Sequence, residues 1–284
     1  MNGVIIVDKP AGMTSHDVVN KARKIFNQKK IGHTGTLDPD ATGVLVLCFG
    51  QATKIIPYLE ESDKGYQAVI SFGRSTTTLD AAGDTTAYQP VSDVPKLNQA
   101  ILRLTTITKL KPPQVSAIKV DGKKLYEYAR RGIEVDVDER PMRVLKVTAG
   151  DLVFDQQEAS IELDLVVSKG TYIRSLVQYL SEEVGIPAHL ARLRRSHSGR
   201  FQIKDAVPLD QLTMDTPMLS IEDALPYPIK EVDEDTALAI FRGKPLENVY
   251  GVSGSVVFRR ERALAIYEAK GEMVIPSRVF VYED

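Results

Sequence analysis

The sequence predicts an α+β fold in which a mixed, largely antiparallel sheet with flanking helices is followed by a small, barrel-like C-terminal β domain. Strand-like and helix-like segments alternate irregularly, without the repeated strand–helix–strand units that build a parallel sheet. An acid-rich segment with several prolines, residues 205–235, separates this part from a β-rich end. The 284 residues, of which 43% are hydrophobic, suffice for one large and one small domain.

Hydrophobic periodicity locates the elements of the larger part. Residues 4–7 and 44–49 are apolar runs typical of buried strands. Ser15 is expected to cap a helix that extends to Phe26, because the apolar residues after it recur at helical spacing. The other predicted elements are strands at 66–72 and 161–167 and helices at 94–104, 125–131 and 173–184.

The C-terminal part is expected to form a separate small domain. Residues 205–235 are interpreted as the boundary region, which divides the chain into a domain at 1–232 and another at 233–284. A helix at 236–242 should end at Gly243. Four short strands are predicted after it, at 255–258, 263–269, 272–275 and 278–282.

Composition excludes several classes of protein. Cys48, the single cysteine, lies within the apolar run 44–49 and is interpreted as a buried hydrophobic residue rather than a catalytic thiol. The four histidines are scattered, so no zinc site is expected, and no phosphate-binding G-x-x-x-x-G-K-[ST] motif occurs. No apolar stretch approaches the roughly 20 residues of a membrane helix. We therefore expect a cytoplasmic protein without metal or cofactor.

The segment 32–43 is the most informative loop of the sequence. Its three glycines permit sharp turns and close approach of a ligand. Pro39 disfavours helical backbone at Asp38, so the carboxylate of Asp38 should lie on extended or turning chain. Composition alone slightly favours a plain turn stabilised by local side-chain hydrogen bonds. A binding or catalytic site beside an apolar strand is the alternative.

The same loop contains a pattern that resembles another class of enzyme. Residues 38–42 match the D-x-D-x-T motif of aspartyl phosphotransferases. In those enzymes an apolar strand runs into the first aspartate. Here the apolar run follows the motif and glycines and threonines precede it, which disfavours a phosphotransferase.

Further motifs accompany this loop in a fixed order along the chain. They are Asp8–Ser15, Lys64-Gly65-Tyr66, the pattern Gly73, Thr76, Thr78, Asp80 and Gly83, Pro112-Pro113 with Ser116–Lys119, Gly122–Arg130, Lys169–Leu176, and Leu193-Arg194-Arg195 with Ser198-Gly199. Together with residues 32–45 they resemble the tRNA pseudouridine-55 synthases of the TruB family. The resemblance is collinear from about residue 4 to about residue 210. The last domain is similar, more loosely, to the PUA-type RNA-binding module.

The resemblance implies a fold of the pseudouridine-synthase type and a specific reaction. The enzyme would be an isomerase that converts the uridine at position 55, in the T-loop of tRNA, into pseudouridine. This reaction breaks the N1–C1′ bond, turns the base and rejoins it through C5. It is redox-neutral and is therefore consistent with a chain that needs no cofactor. Because the target base lies within a folded loop, it must be flipped out into a pocket.

The resemblance also implies roles for individual residues. Asp38 would be the nucleophile, and whether it attacks C1′ or promotes a glycal intermediate stays open. Arg174 would be the cation that a carboxylate needs when it lies against a base. Tyr66 would stack on the base and transfer a proton. The expected substrate-binding residues are His33, Tyr172, Leu193, Lys9, Lys54 and Arg194.

The charge pattern bears on the partner. The net charge of -2 and the pI of about 6.2 argue mildly against nucleic-acid binding. Basic clusters at 21–30, 109–111, 119–131 and 192–200 could nevertheless form a stripe that contacts phosphates. We expect a monomer that binds the T-arm of tRNA without an obligatory protein partner.

Two other functions stay open. A guide-RNA-dependent synthase is disfavoured because the sequence has no long basic extension. A non-catalytic RNA-binding or RNA-folding protein is disfavoured by the intact loop around Asp38, although a tRNA-folding role could coexist with the enzyme.

Overall fold

A computed structural model describes residues 1–282 of the chain and has an α+β architecture. The strands are β1 (Gly3–Lys9), β2 (Ile31–His33), β3 (Thr42–Phe49), β4 (Lys64–Phe72), β5 (Arg74–Thr76), β6 (Thr85–Tyr88), β7 (Lys109–Leu110), β8 (Lys119–Val120), β9 (Lys123–Lys124), β10 (Arg140–Pro141), β11 (Val144–Ala149), β12 (Val153–Asp155), β13 (Glu158–Val167), β14 (Ala188–Ser198), β15 (Phe201–Gln202), β16 (Val207–Pro208), β17 (Ile229–Glu231), β18 (Leu246–Glu247), β19 (Ser255–Arg260), β20 (Arg262–Lys270) and β21 (Met273–Val279). The α-helices are α1 (Ser15–Ile25), α2 (Ile56–Glu60), α3 (Leu97–Arg103), α4 (Leu125–Ala129), α5 (Ile173–Val184), α6 (Ile221–Ala224) and α7 (Glu234–Phe241).

The main sheet has ten strands and is mixed, as predicted. Its central order is β11-β13-β4-β14-β3-β1-β16, and β12, β15 and β2 pair at its sides. The pairs β14–β3 and β1–β16 are parallel, and the other pairs are antiparallel. The largely antiparallel sheet predicted from the irregular order of elements is thereby confirmed.

Helices cover the two halves of this sheet. On one half, Ala68 and Ile70 of β4 and Leu163 of β13 belong to one buried cluster with Leu176 and Leu180 of α5. On the other half, the apolar positions of α1 join a second cluster with alternate residues of β1 and β3. The helical spacing at 173–184 is confirmed by α5, which ends at Gly185 in left-handed conformation with φ of 73°.

The first helix begins one residue earlier than the sequence suggested. Thr14, not Ser15, is the N-cap of α1, because its hydroxyl accepts from the backbone N–H of Asp17 while the Asp17 carboxylate accepts from the N–H of Thr14. This reciprocal pair is a capping box. The Ser15 side chain is consequently turned inward, where it bonds to the loop that carries Asp38.

The segment 205–220 packs tightly against the main sheet instead of forming a loose connection. Val207 and Pro208 pair with β1, and Val4 and Leu219 exchange two backbone hydrogen bonds of 2.9 Å. Leu209 and Leu212 are buried with α1. Two of the four prolines that suggested a boundary, Pro208 and Pro217, therefore lie in a segment that covers the edge of the main sheet.

The C-terminal sheet has five strands in the order β17-β19-β20-β21-β18. Strand β17 precedes residue 233, where the second domain was expected to begin, and pairs with β19. The two strands predicted at 272–275 and 278–282 are replaced by the single strand β21. Pro276 did not end this strand because it lies opposite Tyr267 at a register shift, where the ladder tolerates a missing N–H.

The two sheets share a core. Val257, Ile266 and Phe280 of the C-terminal unit lie in one buried cluster with Val4 and Val46 of the main sheet. Within residues 1–282, no helix combines the length and the apolar character needed to cross a membrane. The described part of the chain also contains no group of three or more His, Cys, Asp or Glu side chains arranged to hold a metal ion.

Candidate active site

A buried lysine holds the backbone of the loop at 34–43. Lys9, at the end of β1, has no exposed surface, and its ammonium donates to the carbonyls of Pro10 at 2.9 Å, Met13 at 2.5 Å and Pro39 at 2.8 Å. Burial lowers the pKa of Lys9, while the nearby carboxylates of Asp40 and Asp38 oppose that shift. Because all three N–H donors of the ammonium are used, Lys9 fixes the backbone on the far side of Asp38.

A buried arginine anchors the other side of the loop. Arg195 is 1% exposed, and its guanidinium donates to the carbonyls of Val44 at 2.7 Å and Gly35 at 3.1 Å. Gly43 packs against the Arg195 backbone so closely that a Cβ there would lie 2.2 Å from its carbonyl oxygen. The φ of Gly43 is 103°, which also favours glycine. Residue type at this position is therefore restricted by both space and backbone conformation.

The middle of the loop is held by Ser15. Its hydroxyl accepts from the N–H of Leu37 at 2.8 Å and lies 3.2 Å from the Leu37 carbonyl oxygen. Backbone bonds from Gly12 to Pro39 and from Ala41 to Asp38 complete the turn. The plain turn considered from composition is thus present, but it is built to present one carboxylate.

That carboxylate, Asp38, is paired with Arg174. Nη2 of Arg174 lies 2.9 Å and 3.1 Å from the two carboxylate oxygens. The Arg174 side chain is 5% exposed, whereas that of Asp38 is 40% exposed. The cation therefore supports the carboxylate from inside the protein and leaves the outer side of the carboxylate open to a ligand.

A second carboxylate lies beside the same guanidinium. Nε of Arg174 is 3.8 Å from Oδ2 of Asp80, and Nη1 donates to the Thr78 carbonyl at 3.2 Å. Asp80 is in turn held by the Thr78 hydroxyl at 2.5 Å and by the N–H of Ala82 at 3.1 Å. Arg174 thus bridges two aspartates that come from distant parts of the chain.

Helix α5 positions this arginine. Arg174 is the second residue of α5, directly after the N-cap residue Tyr172 and Ile173. Ser175 donates to the carbonyl of Lys111 at 2.7 Å, which fixes the first turn of the helix. The apolar stripe of α5 on the sheet and this polar contact together direct Arg174 toward the loop.

Apolar and aromatic residues lie near the pair formed by Asp38 and Arg174. Tyr66 of β4 is 8% exposed and shares a buried cluster with Leu37 and Ala41, which flank Asp38. Leu193 of β14 is partly buried against the same cluster, and its strand partner Ala68 shares a face of β4 with Tyr66. Burial raises the pKa of the Tyr172 phenol, so this group stays protonated at neutral pH.

Four of the predicted substrate-binding residues have protein partners in this structure. His33 lies on β2, where its Nδ1 accepts from the N–H of Gly35 at 3.2 Å, and burial lowers its pKa. Arg194 binds Asp8 at 2.6 Å on the opposite face of the sheet from Leu193. Lys54 donates to the carbonyl of Val279 at 2.8 Å. Lys9 binds the three carbonyls described above.

Two important residues were not among those predicted for the site. Asp80 and Arg195 both lay in recognised motifs, but neither was given a role. The signal for Asp80 in the sequence was its spacing from Thr76 and Thr78. The Thr76 hydroxyl donates to the Asp80 carbonyl, and the Thr78 hydroxyl donates to the Asp80 carboxylate. A sign for Arg195 was its place two residues after Leu193, which gives both side chains the same face of β14.

Cys48 has the structural role that the sequence indicated. It is fully buried in β3, and burial raises the pKa of its thiol to about 12. A thiol of this kind is not ionised at neutral pH and is not a nucleophile.

Comparisons with known proteins agree on the class of this chain. Residues 23–173 match the model of the N-terminal domain of TruB family pseudouridylate synthases. A curated tRNA pseudouridine synthase B from Bacillus anthracis is 40% identical over 303 aligned positions, covering 99% of this chain and 98% of the relative. A protein of the same name from Corynebacterium aurimucosum is 43% identical over 291 positions, covering 99% and 96%.

Solved structures share the fold at lower identity. A Cbf5-Nop10-Gar1 complex contains a chain with a TM-score of 0.72 and 24% identity, covering 98% of this chain and 85% of the other. An H/ACA RNP bound to a substrate RNA containing 2′-deoxyuridine contains a chain with a TM-score of 0.69 and 22% identity, covering 99% and 86%. The fold is therefore that of the pseudouridylate synthase class. Within this class, the match over more than half of the chain and the identity over nearly all of it show that the chain belongs to the TruB family.

Proposed function

We propose that this protein isomerises the uridine at position 55, in the T-loop of tRNA, to pseudouridine, with Asp38 as the nucleophile. The observation that carries the proposal is the pair formed by an open Asp38 carboxylate and a buried Arg174 guanidinium. The substrate class is supported by the names of the curated relatives, which are tRNA pseudouridine synthases.

The geometry suits a reaction that begins with an ionised carboxylate. The N1–C1′ bond of the uridine breaks, the base turns, and a C5–C1′ bond forms; the proton on C5 is then lost and N1 gains a proton. Asp38 either attacks C1′ or promotes a glycal intermediate. In both routes a carboxylate acts beside an uncharged base, and the Arg174 guanidinium forms an ion pair with it.

A base flipped out of the RNA needs a side-chain surface on which to stack. Tyr66 and Leu193 provide an aromatic and an apolar surface on one face of the sheet, and Tyr172 lies at the start of the helix that carries Arg174. Stacking of an extruded base on an aromatic ring contributes about 1–3 kcal/mol, which offsets part of the cost of unstacking it from the RNA. Within this proposal Tyr66 is the proton-transfer group.

The RNA-contacting surface would include the segment after β7. Lys119, Lys123 and Arg131 are exposed there. Lys109 and Lys111, by contrast, are paired with Glu139 and Asp136 and contribute less free positive charge. We further propose that the C-terminal unit contacts the RNA in the manner of a PUA-type module.

The predicted substrate-binding residues differ in whether they must first give up a bond within the protein. His33 lies at the base of the loop and would contact the flipped nucleotide, as would Tyr172 and Leu193. Phosphate contacts by Lys54 and Arg194 would replace or extend their present bonds to Val279 and Asp8. Lys9 would act indirectly, by holding the backbone of the loop that carries Asp38.

The proposed enzyme works alone. We propose a monomer that needs neither a guide RNA nor a partner protein, and in which a tRNA-folding role could coexist with isomerisation. The resemblance to chains from multi-protein complexes lies below 25% identity and supports the fold alone.

A direct test uses purified protein and an unmodified tRNA transcript, with pseudouridine mapped at single-nucleotide resolution. Wild-type protein alone should convert position 55, and Asp38→Asn should abolish conversion while retaining tRNA binding. The matched control is Asp40→Asn, two residues away in the same loop, which should keep conversion within about twofold because the carboxylates paired with Arg174 are those of Asp38 and Asp80.

Three results would contradict parts of the proposal. Activity of Asp38→Asn equal to that of the wild type would exclude Asp38 as the nucleophile. Conversion at another position, or conversion of a transcript with cytidine at 55, would exclude the site in the T-loop. A need for added proteins or a guide RNA would exclude stand-alone action.

A further inference from the structure

A buried histidine lies behind the active site and belongs to none of the roles described above. His189, the second residue of β14, is 2% exposed. Both of its ring nitrogens face Arg74, the first residue of β5. Nδ1 lies 3.0 Å from the Arg74 carbonyl oxygen, and Nε2 lies 3.3 Å from Nη2 of the Arg74 guanidinium.

These two contacts determine where the ring carries its proton. A guanidinium has donors and no acceptor, so Nε2 of His189 must accept from it. The single proton of a neutral ring is then on Nδ1, which donates to the Arg74 carbonyl. Doubly protonated His189 would direct an N–H of Nε2 at an N–H of Arg74 and would bring two cations together.

Arg74 is held from a second direction. Its Nε lies 3.6 Å from Oε1 of Glu158 on β13, and Oε2 of Glu158 accepts from the Ser71 hydroxyl at 2.9 Å. The guanidinium therefore lies between Glu158 of β13 and His189 of β14. It is at the point where the chain leaves β4 for the excursion formed by residues 74–88, which carries Asp80.

The same excursion is attached to the residue that follows His189. The N–H of Leu190 donates to the Leu79 carbonyl at 2.9 Å, and its carbonyl accepts from the N–H of Ala81 at 3.1 Å. These two bonds flank Asp80 on both sides. A change in the position of β5 relative to β14 would thus move Asp80 and the Thr78 carbonyl together, and both bind Arg174.

We propose that His189 is a positioning residue for the nucleophile. Its neutral Nδ1–H tautomer locks β5 to β14, which holds Asp80 and Thr78 where they orient Arg174 toward Asp38. This role rests on the proposed isomerase function, since it concerns the geometry of the same pair.

The charges around the ring give the role a pH dependence. Arg74 faces the ring from β5, Glu158 from β13 and Asp80 from the excursion. Burial, as the largest effect, lowers the pKa of His189 below the ordinary histidine value of about 6.5. The ring is then neutral at neutral pH, and protonation at a pH below this lowered pKa breaks the lock and lowers turnover.

Two substitutions separate positioning from simple packing. His189→Gln supplies an amide with one donor and one acceptor side but no titration, so it should keep kcat within about twofold at pH 7.5 and should lose the part of the acid limb due to His189. His189→Leu removes both bonds and should lower kcat about tenfold, with KM for tRNA little changed. His16→Gln on the exposed face of α1 is the control for a general effect of losing a histidine.

The tautomer is measured independently of activity. Long-range proton–nitrogen NMR of the full protein labelled with nitrogen-15 histidine should show Nδ1–H for His189. An Nε2–H tautomer overturns the proposal, as does unchanged kcat in His189→Leu or an unchanged acid limb in His189→Gln. Absence of conversion by the wild type would instead overturn the proposed function. If His189→Leu does not fold, the pH profile of His189→Gln and the tautomer still decide the outcome.

Discussion

Replacement of Asp80 by asparagine should weaken catalysis without weakening RNA binding. The carboxylate of Asp80 lies 3.8 Å from Nε of Arg174, and its side chain is only 24% exposed. At this distance a unit charge contributes about 4 kcal/mol at an effective dielectric constant of about 20. Once that charge is removed, Asp38 alone must balance the buried guanidinium. The tighter pair would hold the Asp38 carboxylate more strongly in the ground state than in the transition state.

The net effect should be smaller than the gross Coulomb energy. Asparagine keeps an oxygen that can accept from the Thr78 hydroxyl and the Ala82 N–H, so the loop is retained. We expect kcat to fall about 10- to 100-fold, which corresponds to about 1.4–2.7 kcal/mol, with KM for tRNA within about threefold of wild type.

The assay is steady-state release of tritium from C5-labelled uridine in a tRNA transcript. The control is Asp84→Asn, in the same excursion but without an ion pair to Arg174. An Asp80→Asn enzyme with normal kcat, or one altered in KM alone, would refute the reasoning that two carboxylates share Arg174. Equal losses in both variants would point to the loop and not to its charge.

Three further outcomes follow from local geometry. Gly43→Ala should cost about 3 kcal/mol or more in urea unfolding, since its Cβ would lie 2.2 Å from a backbone oxygen, whereas Gly12→Ala, with open space, should cost only about 1 kcal/mol for its left-handed backbone. Native Cys48, with a pKa of about 12, should resist a thiol reagent at pH 8.5 and react after unfolding; rapid native labelling would refute its burial. Ser15→Ala should lower kcat by loosening Leu37, and unchanged kcat would show that the turn holds itself.

The fold could be predicted to a large extent because its elements have strong periodic patterns. The stripe of α5 and the alternation in β13 gave nearly correct bounds for both elements. The N-cap of α1 was misplaced by one residue because Thr14 and Ser15 are both good capping residues. The distinction lies in Asp17, whose carboxylate completes the box with Thr14 alone.

The candidate site was predictable only in part. The loop of Asp38 was evident from its glycines and Pro39, but its pairing with Arg174 spans 136 positions of sequence, and no local pattern reveals such a contact. The family resemblance supplied Arg174 and left Asp80 without a role. Lys9 was predicted to bind substrate and Arg195 was given no role, and the sequence did not reveal that both cations are buried. Their burial depends in part on carbonyl groups distant in sequence, Pro39 for Lys9 and Val44 and Gly35 for Arg195, which only the folded chain brings within reach.

The core shared by the two sheets bears on which RNA substrates the proposed enzyme would accept. Residues of β1 and β3 pack directly on β19, β20 and the chain after β21, and Lys54 adds a bond to Val279. The C-terminal unit is therefore packed against the sheet that carries the loop of Asp38, and side-chain packing sets its separation from the carboxylate. If the C-terminal unit contacts the RNA as proposed, the distance between that contact and Asp38 is fixed by the fold. We then expect conversion to fall when the stem is lengthened or shortened by one base pair, even where the loop sequence is correct.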